Sequence, residues 1–422
     1  NISRTVTMKR MIFSFAFLPA LFFAPSLFAG NGSPYSRYGV GEPSLFMSTR
    51  SEGMGGTGLA LLTGNDINLV NPAALAYIGR TQLSADFQYS GRAMNDGTQS
   101  TFLSSGNFQN FTVAFPVYHP DNIVCSLGAS PFSTVAYSAV DTRSSGLYSY
   151  SEEYDGSGGL TDAQFSLSVS PLKDLFLGAT THYIFGALRS RHSLTFTSSS
   201  YYSSESDRTV NADGFAFTFG GIYSGIDQVL NFSEKKNLNL GFIFFTGGKL
   251  TADDMTTSNY ITQQETSATA SGTIKIPLGF GIGAAYRVNN QTVLTGDVQY
   301  HDWSRYTEFG THPAELKNST RFGIGAEWTR EHNSTSPYLD DVAYRFGAYI
   351  NASQLQINGT PINEYFLTAG LTYPVSLAAK LDIGLEYGIR GTTTSGLLRE
   401  NIFRMTFSLS ANELMFIPPE TE

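Results

Sequence analysis

The sequence predicts an all-β transmembrane protein: a 14-stranded antiparallel outer-membrane β-barrel plugged by an N-terminal hatch segment. Three observations predict it. From Gln82 onward, short segments alternate apolar and polar residues, as strands with one greasy and one wet face must. In Ile276 to Tyr306, Leu294, Val298 and Tyr300 fall on one face, and Val293, Asp297, Gln299 and His301 on the other. Just before them, Gly279, Gly281 and Gly283 alternate with Phe280, Ile282 and Ala284, so a bulky face again lies opposite a bare one. Composition agrees: 14% of residues are charged against about 25% in soluble domains, and 14% are aromatic. Finally, no run apart from the interrupted N-terminus approaches the roughly 20 apolar residues of a spanning helix, which leaves closed barrels as the way to satisfy the backbone in lipid.

Taken in order, residues 1–29 read as a secretory signal with upstream residues. Lys9 and Arg10 precede an apolar stretch from Met11, which Pro19 and Pro25 interrupt, and small residues follow at Ala29-Gly30. Removing residues 1–29 takes away Arg4, Lys9 and Arg10 and no acid, so the formal charge goes from −9 to −12, which argues against nucleic acid as a partner. Residues 30–80 do not alternate and are rich in Gly and Pro, so they read as an irregular hatch with one short helix. The barrel is expected over 81–412, with segments near 82–92, 107–118, 122–138, 160–170, 175–195, 210–224, 237–250, 267–288, 291–304, 318–330, 341–353, 363–374, 378–391 and 399–411. An even count puts both ends on the periplasmic side.

Turns such as Tyr118 to Asp121, Pro171 to Asp174 and Val288 to Gln291 are expected there, with long outer loops near 139–159, 190–212, 251–266 and 331–341. Aromatics near strand ends, including Tyr183, Tyr300, Trp303 and Trp328, suit interfacial girdles. Residues 413–422 read as a periplasmic tail. The single cysteine, Cys125, faces the side of Ile123 and Leu127 and permits no internal disulfide.

Three stretches carry a resemblance. Gly53-Met54-Gly55-Gly56-Thr57-Gly58, Asn65-Asp66 and Asn71-Pro72-Ala73-Ala74-Leu75-Ala76 resemble the hatch of the FadL family of outer-membrane transporters for long-chain fatty acids and other hydrophobic compounds. Leu278 to Ser304, with Asp297 and Asp302-Trp303-Ser304, is similar to a strand pair of that family, and Arg321 to Trp328 resembles the strand after it. Strands 2 to 7 match by pattern only. The resemblance implies passive uptake of hydrophobic compounds such as long-chain fatty acids, by binding in the lumen and lateral exit into the outer membrane of a Gram-negative bacterium at a kink in the third strand. In this sequence Ser130-Pro131-Phe132 is the candidate lateral gate, because proline cannot donate to a ladder. Lateral exit keeps a tail out of periplasmic water, at roughly 0.8 kcal/mol per methylene. The other reading of the same scaffold is a non-transport barrel serving as a surface-complex or secretion-system partner.

The hatch residues singled out are Gly55, Gly56, Gly58, Asn71, Pro72 and Ala73. Alternation also turns Asp297, His301, Arg321, Glu327, Arg345, Asp382, Glu386, Arg390 and Arg404 into the lumen, since charges are costly toward lipid. His182 is inward as well. Arg321 or Arg345 could pair with a substrate carboxylate; the bland reading is that these groups bond the hatch and one another. The formal G-x-G-x-x-G at Gly53 to Gly58 lacks a preceding strand, so it is no nucleotide site. Glu152, Glu153, Asp155, Asp253 and Asp254 read as a solvated loop surface. No catalytic motif, metal spacing or cofactor signature is present, and no enzyme activity is expected.

Overall fold

The structure is a computed structural model that describes residues 32–44, 47–145, 148–198, 201–231, 237–260, 263–330, 342–376 and 378–413. The expected signal, the tail beyond Glu413 and the expected loop at 331–341 lie outside the described residues.

Fourteen antiparallel strands form one closed sheet. They are β1 (Thr81–Asn95), β2 (Ser100–Tyr118), β3 (Ile123–Ser145), β4 (Tyr148–Leu172), β5 (Leu175–Phe196), β6 (Ser204–Ser224), β7 (Leu238–Tyr260), β8 in two pieces (Gln263–Ile276 and Gly279–Arg287), β9 (Thr292–His301), β10 (Ser319–Thr329), β11 (Ala343–Ile357), β12 (Thr360–Pro374), β13 (Ala379–Gly391) and β14 (Arg399–Glu413). The barrel closes where β14 pairs with β1, from Arg399↔Asn95 to Glu413↔Thr81. Pro277 splits β8, because proline has no N–H for the ladder. Both pieces still pair with β7, but only the second pairs with β9.

The alternation has a direct physical reading. Phe217, Phe219, Phe242, Phe244, Phe280, Ile282, Ile324, Phe346 and Leu367 are exposed on the outer face, where lipid replaces water. Asp297, Arg321, Glu327, Arg345, Asp382, Glu386 and Arg390 are buried on the inner face.

Three expected outer loops are strand instead. Residues 139–145 and 148–159, 190–196 and 204–212, and 251–260 and 263–266 continue the ladders of β3 with β4, β5 with β6 and β7 with β8. Crossing a bilayer takes only about 9–11 strand residues. These hairpins therefore rise beyond the lipid as a polar wall, and their Ser, Thr, Asp and Tyr content reflects water on both faces rather than an irregular backbone. The connection from Thr329 to Ala343 joins strand ends on the same side as the chain ends at Thr81 and Glu413, not the outer side. Trp303 is also not a girdle residue: it is 6% exposed and packs inside the lumen against Tyr306.

Residues 32–44 and 47–80 lie in the lumen, folded around three short helical turns at Pro34–Arg37, Thr49–Glu52 and Pro72–Tyr77. Inward glycines of the wall admit them. A Cβ at Gly178, Gly220, Gly241, Gly283, Gly325, Gly347 or Gly370 would strike atoms of residues 53–73, so the glycines that leave the inner face bare are the ones the segment touches. All lie in the periplasmic half of their strands. In the outer half an apolar cluster fills the lumen, including Tyr35, Phe132, Phe245, Trp303, Tyr306, Leu316 and Leu355.

Candidate functional site

The lumenal segment is held by charge on one side of the barrel. Arg50 donates from Nε and Nη2 to the two carboxylate oxygens of Glu327 at 2.8 and 2.5 Å. Glu327 also accepts from Arg345 at 2.6 Å, and Arg345 reaches Asp382 at 3.2 Å. Lys380 bridges Asp382 to Asp66 of the segment. Higher in the lumen, Glu42 accepts from Arg390 at 2.8 Å, Arg92 at 3.0 Å and Arg404 at 3.4 Å. Burial alone would raise the Glu42 carboxyl, but Arg390, Arg92 and Arg404 together hold it well below the usual carboxylate range. Glu52 is the opposite case: burial, and then the negative charge of Glu386, push its carboxyl up to about 8.

The glycine motif supplies backbone to the wall. Gly55 and Gly56 both have φ of 70°, a conformation glycine adopts without strain. The Gly55 N–H donates to Thr368 Oγ1 at 2.8 Å, and the Gly58 and Leu59 N–H groups both donate to Asp297 Oδ2. Asn71 caps the turn at Pro72–Tyr77 by accepting from Ala73 N at 3.0 Å, while its amide donates to Leu59 O, Gly221 O and Phe242 O. Pro72 packs against Gly178, and Ala73 O accepts from Ser168.

Above this segment lies a cavity of about 310 Å³. Hydroxyls and amides line its β1 to β6 side, among them Gln88, Ser90, Asn107, Gln109, Gln164 and Thr218. Charge gathers on the β10 to β14 side with Arg321, Glu364, Glu386, Arg390 and Arg404. Phe132, Phe245, Trp303 and Leu355 form its apolar border toward the outer cluster.

The wall is interrupted beside this cavity. The ladder of β2 with β3 ends at Phe111↔Ala129, one residue before Ser130-Pro131-Phe132. Beyond that point β3 keeps its pairing with β4 through a register shift between Pro131 and Ser133 that leaves Phe132 as the extra residue. The freed edge of β3 is covered from within, where Glu42 and Pro43 pair with Thr134 and Ser133, Ser44 N donates to Phe132 O at 2.9 Å, and Ser36 Oγ bonds both N and O of Ala136. A small second pocket joins Pro131, Ser130 and Gln109 of the break to Met47 and Glu52 of the segment.

His182 sits in a chain that leads to the break. Its Nδ1 lies 2.7 Å from Asp162, its Nε2 lies 2.8 Å from Thr218, and Gln164 donates to both Asp162 and Ser130. Of the residues singled out in the sequence, Glu327 and Arg345 meet one network, Arg404 joins Glu386 and Glu42, and Arg321 stands apart, stacked on Tyr349. Glu42, Arg50, Glu52, Asp162 and Gln164 escaped sequence reasoning. For the two strand residues a signal existed, since Asp162, Gln164, Ser166 and Ser168 alternate as an inward polar row.

A family model described as BamG matches residues 8–418. A comparison with curated proteins finds no match. Among solved structures, the chain is similar to a Pseudomonas aeruginosa FadL homologue, with a TM-score of 0.60 and 14% identity over 88% of this chain and 99% of that one. It is also similar to the P. putida toluene transporter TodX (TM-score 0.59, 15% identity, 88% and 100% covered). The Ralstonia pickettii toluene transporter TbuX gives 0.58 and 14% over 87% and 99%. At these identities the likeness establishes the fold.

Proposed function

Because the chain belongs to the BamG family and has the fold of FadL-type channels, we propose that it is an outer-membrane channel for passive uptake of hydrophobic compounds, long-chain fatty acids among them. The compound binds in the lumen and leaves sideways into the bilayer between β2 and β3. The observation that carries this reading is the ladder break at Ala129, which lies beside the cavity and is lined by Ser130, Pro131 and Phe132. The aromatic and aliphatic cluster of the outer lumen receives an apolar compound from outside. Residues 32–80 act as the hatch that closes the periplasmic half, so release into the membrane is the open direction. In the described state the exit is narrowed by Glu42 to Ser44 on the β3 edge, and passage requires that short strand to move aside.

The test is a reversible lock. Pro43 and Ser133 are register partners, and facing Cα atoms about 4.5–5.5 Å apart suit a disulfide. Pro43→Cys with Ser133→Cys, in a Cys125→Ser background, is expected to lower uptake of oleate and toluene by cells at least tenfold when oxidised and to regain it on reduction. Equal uptake in both states would sink lateral exit at this edge. No uptake by the unlocked protein would favour the second reading, a surface-complex or secretion-system partner, for which the observations are the tall polar wall of β3 to β8 and the ion pairs that fasten the hatch.

A further inference from the structure

Six arginines hold the hatch or line the cavity, and five of them have a carboxylate. Arg50 and Arg345 share Glu327, while Arg92, Arg390 and Arg404 share Glu42. Arg321 is the exception: 5% exposed, it makes no ion pair among the described residues. Its contacts are a long bond from Nη2 to Gly55 O at 3.4 Å, another from Nη1 to the Met47 thioether at 3.4 Å, and the Tyr349 ring 3.9 Å below its Cζ. Its Nε has no partner. Asp297, on the same inner face, accepts at Oδ2 from the Gly58 and Leu59 N–H groups instead.

A buried guanidinium with no carboxylate in ion-pair range is costly, and buried charges are normally paired. Arg321 lines the cavity with Gln299, Ser319 and Asn351 beside it. The cavity thus offers a buried positive charge with polar groups beside it that can bond a head group, while a plain hydrocarbon would leave these donors unmet. Across the cavity, the buried Ser90 hydroxyl is also unpartnered.

We infer that the cavity binds an amphiphile by its oxyanion head, with Arg321 as the counter-ion and Tyr349 as the platform that fixes the guanidinium plane. This rests on the transport reading and narrows it to compounds with an anionic head and an apolar tail, against uncharged hydrocarbons. Carboxylate and phosphate share the chemistry that Arg321 recognises.

The experiment uses the full chain in nanodiscs, titrated calorimetrically with octanoate, octyl phosphate and octanol, with empty nanodiscs subtracted. At least one anion is expected to bind tenfold or more tightly than octanol, and which one does so separates carboxylate from phosphate. Arg321→Gln is expected to bring anion and alcohol within about threefold, and Arg321→Lys, which keeps the charge and loses the fork, to fall between. If Arg321 only latches Gly55, Arg321→Gln loosens the hatch but keeps the anion preference, and the inference is overturned. Equal binding of all three probes by the unsubstituted protein also overturns it, whether or not the variants fold. In that case, uptake that the oxidised Pro43→Cys, Ser133→Cys lock abolishes and reduction restores would leave the transport reading standing.

Discussion

Replacing Glu327 by Gln changes almost no volume and removes one charge, so it isolates what the hatch ion pairs contribute. Glu327 accepts from Arg50 twice and from Arg345 once, all within 2.8 Å. Arg345 keeps Asp382 after the change, but Arg50 has no second carboxylate in ion-pair range among the described residues. Breaking one side of a buried pair costs about 3–5 kcal/mol. Arg50 and Glu327 retain 12% and 8% of side-chain exposure, so the lower end applies. About 3 kcal/mol corresponds to roughly a hundredfold change in an opening equilibrium. Hydrogen exchange reads it at the amides of Glu52, Gly53, Met54 and Gly55, which bond within this turn. Their protection is expected to fall by about two orders of magnitude in Glu327→Gln while the β-ladders stay unchanged. Arg50→Met with Glu327→Met, which leaves Arg345 its Asp382, is expected to recover most of the loss. Unchanged protection in Glu327→Gln would refute the claim that charge holds the hatch.

Two further outcomes follow from the same geometry. Gly347→Leu drives a side chain into the backbone of Met54 and Gly55, so the barrel is expected to remain heat-modifiable on gels while trypsin gains access to Arg50; Gly79→Ala, with open space around it, serves as the control. For Glu52 the folded chain keeps a proton, up to about 8, that the unfolded chain releases near 4.5. The stability of the hatch therefore falls as pH rises through that window, and protection at residues 49–56, taken relative to the intrinsic base-catalysed exchange rate at each pH, should fall from pH 5 to pH 8 in the parent and stay flat in Glu52→Gln; a parent whose protection does not change would count against a Glu52 carboxyl kept protonated by burial and by the charge of Glu386.

The strand count was readable because lipid and lumen impose opposite demands on alternate residues. Each of the fourteen expected segments coincides with a strand, and the even count put Thr81 and Glu413 at one end. The signal failed where lipid stops. Past the bilayer, Asp141, Arg143, Glu152 and Arg191 face water from a ladder that continues unbroken, so polarity there says nothing about pairing. The inward position of Arg321, Glu327 and Arg345 was legible from parity, but not which of them was paired. That depends on Arg50, 277 residues away in sequence from Glu327, and on a hatch whose path no periodicity records. Glu42 was illegible for the same reason, since Arg390 and Arg404 reach it across the full length of the chain.

The two sides of the hatch are fastened by different chemistry, and that difference matters for how an exit could open. Toward β10, β13, β14 and β1 the segment is tied by ion pairs through Arg50, Asp66 and Glu42. Toward β3 to β7 it is tied by neutral bonds of Ser36, Ser44, Asn71 and Ala73, each of which water or a ligand hydroxyl can replace. The break in the wall lies on the neutral side. Displacing residues 36–44 from β3 therefore exchanges hydrogen bonds of small net worth, while the charged side keeps residues 49–66 in place across the periplasmic half. Glu42 alone belongs to both sides, its backbone on the β3 edge and its carboxylate on three arginines, so it sets how far the edge can swing before an ion pair must stretch.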